Sequence, residues 1–215
     1  MDIAIEKNLQ NYKTHIIDHA TLSSILINNG YSRINDKINN LKKKGYLKLL
    51  KRGLYLHTSP FIQNSISKEI IANTMLSPSY ISFDYALYYH GLIPESVFDI
   101  ASATTKRTKI FKTDNGIFSF RHIKKELFPI GLIIESTKNG NYIIASKAKA
   151  LCDKVYYTKD IQITSKKSMI SFLVDDLRID VDELEDCDMD IFMKYLKISK
   201  SKKIKYLIEA LEEIV

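Results

Sequence analysis

Cysteine is nearly absent from the chain, with Cys152 and Cys187 alone among 215 residues. Neither falls in a C-x-x-C pair, which excludes a disulfide framework and a thiolate zinc site. Glycine and proline are also scarce, at seven and four residues, against an average near 12% of a chain. So few breakers leave little room for long irregular loops and favour regular helices and strands. Long apolar runs are missing too. Stretches such as Ile130 to Ile134 fall far short of the ~20 residues that span a bilayer. The opening Met-Asp-Ile-Ala-Ile-Glu lacks the basic-then-apolar pattern of a signal peptide. The expectation is a reduced, soluble, cytoplasmic protein with no membrane partner.

What is present is a foldable composition, 45% hydrophobic and 27% charged, which excludes wholesale disorder. Lys and Arg number 32 against 25 Asp and Glu, a net charge of +7. Its distribution says more than its size. Residues 1–60 hold ten basic and four acidic side chains, a balance of +6. Residues 101–150 hold ten basic against three acidic, +7, whereas residues 175–190 hold nine acids and only Arg178, −8. A basic surface suits nucleic acid or another acidic partner.

The pattern predicts an α+β chain in two parts, residues 1–60 and 61–215. Residues 8–28 read as two helices, with Asp18 or Thr21 capping the second. A third helix is expected from Ser32 to Lys44, with Ile34, Ile38 and Leu41 at helical spacing, Ser32 as N-cap and Gly45 as the stop. Tyr46 to Leu50 and Leu54 to His57 flank Lys51-Arg52-Gly53 and read as a hairpin. Helices followed by a small hairpin is the layout of a winged helix-turn-helix. The segment Ser59 to Ser65, with Pro60, is the expected boundary.

Beyond it, helices are expected at Ile66 to Met75 and Ser82 to His90, and a strand at Val97 to Thr104. Two hairpins are expected around Asn115-Gly116 and Asn139-Gly140, dipeptides that reach positive φ readily. Helices then follow at about Lys147 to Tyr157, Lys166 to Leu177, Asp182 to Lys197 and a last one carrying Ile204, Leu207, Ile208, Leu211 and Val215. The second part is therefore α+β, with a strand-rich centre and C-terminal helices.

In a winged helix-turn-helix the third helix enters the major groove of DNA. With Ile34, Ile38 and Leu41 inward, Ser32, Asp36, Asn39, Asn40 and Lys43 point outward and Arg33 lies on the flank. Arg can pair twice with guanine and Asn with adenine. Lys43 with its neighbours, and Lys51 and Arg52 at the hairpin tip, suit phosphates. Asp36 opposes phosphate unless it accepts from cytosine. The plainer reading is a small helical module with a solvated basic face. In the second part Lys106, Arg107, Lys109, Arg121 and Lys124 form a candidate functional patch for DNA, RNA or an acidic protein face. The plainer reading there is lysine-protected strand edges.

Catalytic and metal motifs are not evident. His15 and His19 are four apart but lack an H-E-x-x-H pattern. Cys152-Asp153 falls in an apolar helical stretch, as a buried structural cysteine would. Asp186, Asp188 and Asp190 imitate a calcium loop, but Ile191 and Lys197 stand where it needs Gly and Glu. No phosphate-binding glycine loop or nucleophile elbow occurs. No cofactor, no metal and no enzymatic activity are expected.

Ser82, Ala86-Leu87 and His90-Gly-Leu-Ile-Pro-Glu95, followed by Ala103-Thr-Thr-Lys-Arg107, Gly116-Ile-Phe-Ser-Phe-Arg-His-Ile123 and Ala145-Ser-Lys-Ala-Lys-Ala-Leu-Cys-Asp153, form an ordered set. With Arg52-Gly-Leu-Tyr55 this set resembles AbiEi-type antitoxins of bacterial type IV (abortive infection) toxin–antitoxin systems, over roughly residues 15–157. The resemblance implies an N-terminal winged helix that represses its own operon by binding inverted repeats in double-stranded promoter DNA. It implies a C-terminal part that opposes a cognate nucleotidyltransferase-like toxin, with or without direct contact. The rival readings are a transcription regulator with a ligand-sensing or dimerising C-terminal domain, and a nucleotide-acting enzyme that would need Asp153 or His90.

Overall fold

The computed structural model describes residues 3–58, 67–159 and 161–214. The chain opens with helix α1 (Ile3–Gln10), strand β1 (Ile16–Asp18), helices α2 (His19–Asn28) and α3 (Ile34–Lys43), and strands β2 (Leu47–Lys51) and β3 (Leu54–His57). The three strands form an antiparallel sheet in the order β1-β3-β2. Residues 8–28 are thus not all helical. Ile16 and Ile17 are both buried and pair with Leu56 and Tyr55, so β-branched side chains and a strand partner override the helical spacing. Asp18 does cap α2: its carboxylate accepts from the amides of Ala20 and Thr21 at 2.9 and 3.0 Å. These bonds, led by that from the Thr21 hydroxyl, hold the Asp18 carboxyl below its ordinary value. Ser32 does not cap α3. Arg33 takes the cap position without a side-chain bond, and Ser32 lies one residue outside. Gly45, at φ +76°, turns the chain out of α3 toward β2.

The second part begins with helix α4 (Lys68–Met75), capped by Ser67, then strand β4 (Ser79–Ile81) and helix α5 (Phe83–Tyr89). Strands β5 (Ile100–Thr104), β6 (Lys109–Thr113), β7 (Gly116–His122), β8 (Leu132–Thr137) and β9 (Gly140–Ala145) complete a sheet with order β6-β7-β5-β4-β9-β8. The central pair β4–β5 is antiparallel, β5–β7 and β4–β9 on either side of it are parallel, and an antiparallel hairpin closes each end. Both hairpins turn one residue earlier than expected, over Asp114-Asn115 and Lys138-Asn139. Only the following Gly116 and Gly140 take positive φ. The reason is the preceding threonine. Thr113 and Thr137 each accept from the Asn two residues on and donate to the carbonyl of the Gly three residues on.

Helix α6 (Lys147–Tyr157) spans the expected residues, with Ser146 as N-cap. The next helix, α7 (Lys166–Ser171), passes into a π-helical segment, Phe172–Asp176. The expected helix over 182–197 is shorter. A 3-10 turn, Asp182–Leu184, precedes α8 (Met189–Ser199), which Asp188 caps. Helix α9 (Lys202–Ile214) buries Ile204, Leu207, Ile208 and Leu211, and Val215 lies outside the described residues.

Two apolar cores result. One joins Ile5, Leu9, Ile17, Leu22, Leu26, Ile38, Leu41, Leu47 and Tyr55. The other fills the larger part but also takes in Ile16, Leu50, Leu54 and Leu56 of the small sheet. That sheet therefore buries side chains in both directions, and the hairpin is seated on the larger part. The expected boundary, 59–65, and Ile66 lie outside the described residues. The architecture is mixed α+β with two sheets. No described helix is long and apolar enough to cross a membrane.

Candidate nucleic-acid interface

Helix α3 turns Ile38 and Leu41 into the small core, and Ile34 packs beside them. The opposite side follows from 100° per residue. Arg33, Asp36, Asn39, Asn40 and Lys43 are all exposed on it, and Ser32 is exposed just before it. Asp36 occupies the first turn, where a carboxylate complements the unpaired amides of a helix start. Lys37 is turned aside, its ammonium 4.0 Å from the Tyr31 ring centre. The face thus carries one guanidinium, two amides and one ammonium on a rigid element, a set able to meet base edges and phosphates.

The hairpin tip divides its two basic residues. Arg52 is exposed, and Gly53, at φ +77°, makes the turn. Lys51 is half-buried and donates to the Met75 carbonyl at 2.6 Å. It therefore ties the hairpin to the C-terminal end of α4, where a cation is favoured. Burial lowers the Lys51 ammonium from its ordinary value, and nearby Lys109 and Lys106 add to that.

Those two lysines belong to the second candidate patch, which the fold separates. Lys109 opposes Phe120, and Phe111 opposes Phe118, so Lys109 shares a sheet face with buried phenylalanines. Its ammonium lies 5.0 Å from the Phe111 ring centre. Arg121 is next to Phe120 on β7 and so points to the other face, in line with Ala103 and Tyr80. There its guanidinium covers the Phe83 ring at 4.8 Å, and Lys124 lies 5.9 Å from the Tyr156 ring. Arg107 is exposed in the loop before β6. Lys106 and Lys109 thus join the hairpin, whereas Arg121 and Lys124 face α5 and α6. Between β2 and β6 runs a groove of about 530 Å³ lined by Lys51, Arg52, Lys109 and Lys112, with Leu49 and Ile110 exposed beside them. Lys112 was missing from the sequence-derived set; three residues from Lys109 on one strand, it points to the other face, and only the placement of β2 beside β6 brings both lysines to the groove.

The residues that an enzyme reading would need are bonded within the fold. Asp153 is fully buried and accepts from Tyr80, Ser82 and Tyr195 at 2.8, 2.8 and 2.9 Å. Lys149 completes its shell at 3.1 Å and also donates to the Leu127 carbonyl at 2.7 Å. Ser82 sits at the start of α5 as expected, but its hydroxyl goes to Asp153 and caps nothing. His90 ends α5, with Nε2 2.7 Å from the Ala145 carbonyl, and burial lowers its pKa. Cys152 is buried, and burial pushes its thiol up.

His15 and His19 do not share a helix face. His15 precedes β1 and lies beside His57, ring centres 6.1 Å apart, while His19 opens α2. The acidic stretch 175–190 is largely exposed, and its ion pairs among the described residues are to other segments of the larger part. Glu183 meets Lys147 at 2.5 Å, and Arg178 meets Glu95. The chain matches no protein-family model, and no curated protein matches it.

Proposed function

We propose that the N-terminal part is a winged helix-turn-helix that binds promoter DNA through α3 and the β2–β3 hairpin. The observation that carries this reading is the exposed set Arg33, Asn39, Asn40 and Lys43 on one side of α3, with Arg52 exposed at the hairpin tip. The order helix, strand, helix, helix, strand, strand with a β1-β3-β2 sheet supports it. Lys106, Lys109 and Lys112 extend the positive surface past the hairpin tip, so DNA beyond the recognition helix meets more phosphate-binding charge. Lys51 acts as an anchor for the wing.

In this reading the protein is an autoregulatory antitoxin of the type IV kind, repressing its own operon at inverted repeats and opposing a nucleotidyltransferase-like toxin. That part rests on the ordered motifs from Arg52 to Asp153. A second reading, a transcription regulator whose C-terminal part senses a ligand, is favoured by the cleft beside Arg121.

Binding to DNA from upstream of the gene tests the DNA reading. Arg33→Ala and Asn39→Ala should each weaken specific binding by about 1–3 kcal/mol. Lys43→Ala and Arg52→Ala should weaken all sequences alike and lower the salt slope by about one each. Unchanged binding in all four variants would sink the proposed surface. Co-expression with the product of the adjacent gene tests the antitoxin reading. Rescue of growth by the full chain is expected, and failure to rescue leaves the regulator.

A further inference from the structure

Between the start of α5, the end of β7, the C-terminal end of α6 and the π-helical segment lies a cleft of about 680 Å³. Small-molecule sites run about 300–1,000 Å³. Its lining is divided chemically. Ile161 and Leu177, half-buried, and the ring of Tyr157 supply an apolar side. Arg121, His122 and Lys159 supply a polar, cationic side.

The state of these groups leaves them available. Lys154 is already held by Asp84 at 2.5 Å across the cleft. Arg121 lies over the Phe83 ring at 4.8 Å and makes no ion pair with any described residue, so among these residues its donor fork has no carboxylate partner. The Nδ1 of His122 lies 3.0 Å from the Lys106 carbonyl and donates to it, which leaves Nε2 for a ligand. With Asp84 engaged, Asp176 is the remaining carboxylate among the described lining residues, and it is exposed.

Two backbone features converge on the same cleft. Phe83 has φ +59°, a left-handed conformation that is strained for a bulky aromatic residue. The bond from Ser82 to Asp153 holds the preceding residue in place. Phe172 and Asp176 belong to a π-helical turn, a rare form that recurs at functional sites.

We propose that this cleft binds a mononucleotide. Arg121, with Lys159 and His122, holds the phosphate. Tyr157, Ile161 and Leu177 cover the base, and Asp176 accepts from the ribose hydroxyls. A bare anion would leave the apolar side unused, and an apolar molecule would leave the guanidinium unpaired. The proposal stands on the cleft alone. Loss of DNA binding in the α3 variants would not touch it, and its failure would not touch them.

The test is calorimetric titration of the full chain with the four 5′-ribonucleoside monophosphates, adenosine, inorganic phosphate and a short single-stranded oligonucleotide. At least one monophosphate should bind, with adenosine and phosphate each weaker by about tenfold or more. Arg121→Ala and Lys159→Ala should each weaken it by about tenfold while leaving the melting temperature unchanged, since both side chains are exposed. Lys109→Ala, on the opposite sheet face, should leave it intact. Four results would overturn the proposal: no binding of any monophosphate, phosphate binding as tightly as the nucleotide, binding that survives both variants, or binding of the oligonucleotide alone.

Discussion

In the larger part of the molecule Lys149 and Asp153 lie fully out of solvent, one helical turn apart, at 3.1 Å. In the N-terminal part His57 is equally buried, but its nearest acid, Glu6, is 3.4 Å away in poor hydrogen-bond geometry. The first cluster is complete. Both oxygens of Asp153 have partners, drawn from β4, the start of α5, α6 and α8, and Lys149 reaches the Leu127 carbonyl as well. The second is incomplete, for both nitrogens of His57 and Nδ1 of His15 are buried without a hydrogen bond. A satisfied buried network fixes one arrangement of the elements it joins, whereas an unsatisfied one makes its surroundings sensitive to protonation. The larger part thus holds a completed cluster at Asp153, whereas the cluster in the part that carries the α3 surface is open, and Ser79 and Ser102 are the unbonded buried hydroxyls left in the larger part among the described residues.

The sharpest way to break this contrast is to remove one ion of the complete cluster. Burial pulls the Lys149 ammonium down from its ordinary value, and Asp153 opposes that pull. Asp153→Ala strands a buried cation, and Lys149→Met strands a buried carboxylate. Each should cost about 3–5 kcal/mol in denaturant unfolding. The double variant Lys149→Met/Asp153→Leu should cost less than the two single changes added together, because no unpaired charge remains. Single variants as mild as surface substitutions would mean that the network does not lock the fold. Tyr195→Phe is a smaller cut. It takes one donor from Asp153 and leaves three, and should cost about 1–3 kcal/mol by the same measurement.

Local periodicity was legible in the sequence; long-range pairing was not. The outward face of α3 followed from the spacing of Ile34, Ile38 and Leu41, and the bounds of α6 from its own apolar stripe. The i, i+4 spacing of Lys149 and Asp153 was visible, but charged residues are rarely buried. The partners that make burial tolerable, Tyr80, Ser82 and Tyr195, are 42 to 73 residues away in sequence. Ser82 stands at the N-cap position of α5, but the buried Asp153 carboxylate takes its hydroxyl. The same limit hid β1, whose three residues become a strand only against β3. It also hid the division of the central basic patch, since Lys109 and Arg121 part company only once β6 and β7 are paired. Lys51 looked like Arg52 until the end of α4 was placed beside it.

The smallest effect concerns the incomplete cluster and sharpens the contrast most directly. Burial lowers the pKa of His57 below its ordinary 6.5, Glu6 opposes this, and His15 adds to it. Burial lowers His15 as well. A histidine whose folded pKa is depressed is neutral in both folded and unfolded chains above about 6.5, so its share of stability is fully present there. As the pH falls through 6.5 the unfolded chain binds the proton first, and that share is lost until the folded pKa is also passed. One such proton gives a slope no steeper than about 1.4 kcal/mol per pH unit. Glu6, 3.4 Å from Nε2, softens the loss. His90 is lowered by burial too, so a global melting curve would mix the two parts. Amide exchange at β1 and β3 isolates the N-terminal share, because the His57 amide donates to the His15 carbonyl at 2.8 Å. Protection there should fall as the pH drops below 6.5, and His57→Gln, which cannot take the proton, should flatten that fall while amides around Asp153 stay protected in both. Equal loss of protection at both clusters would erase the distinction between a completed cluster and a titratable one.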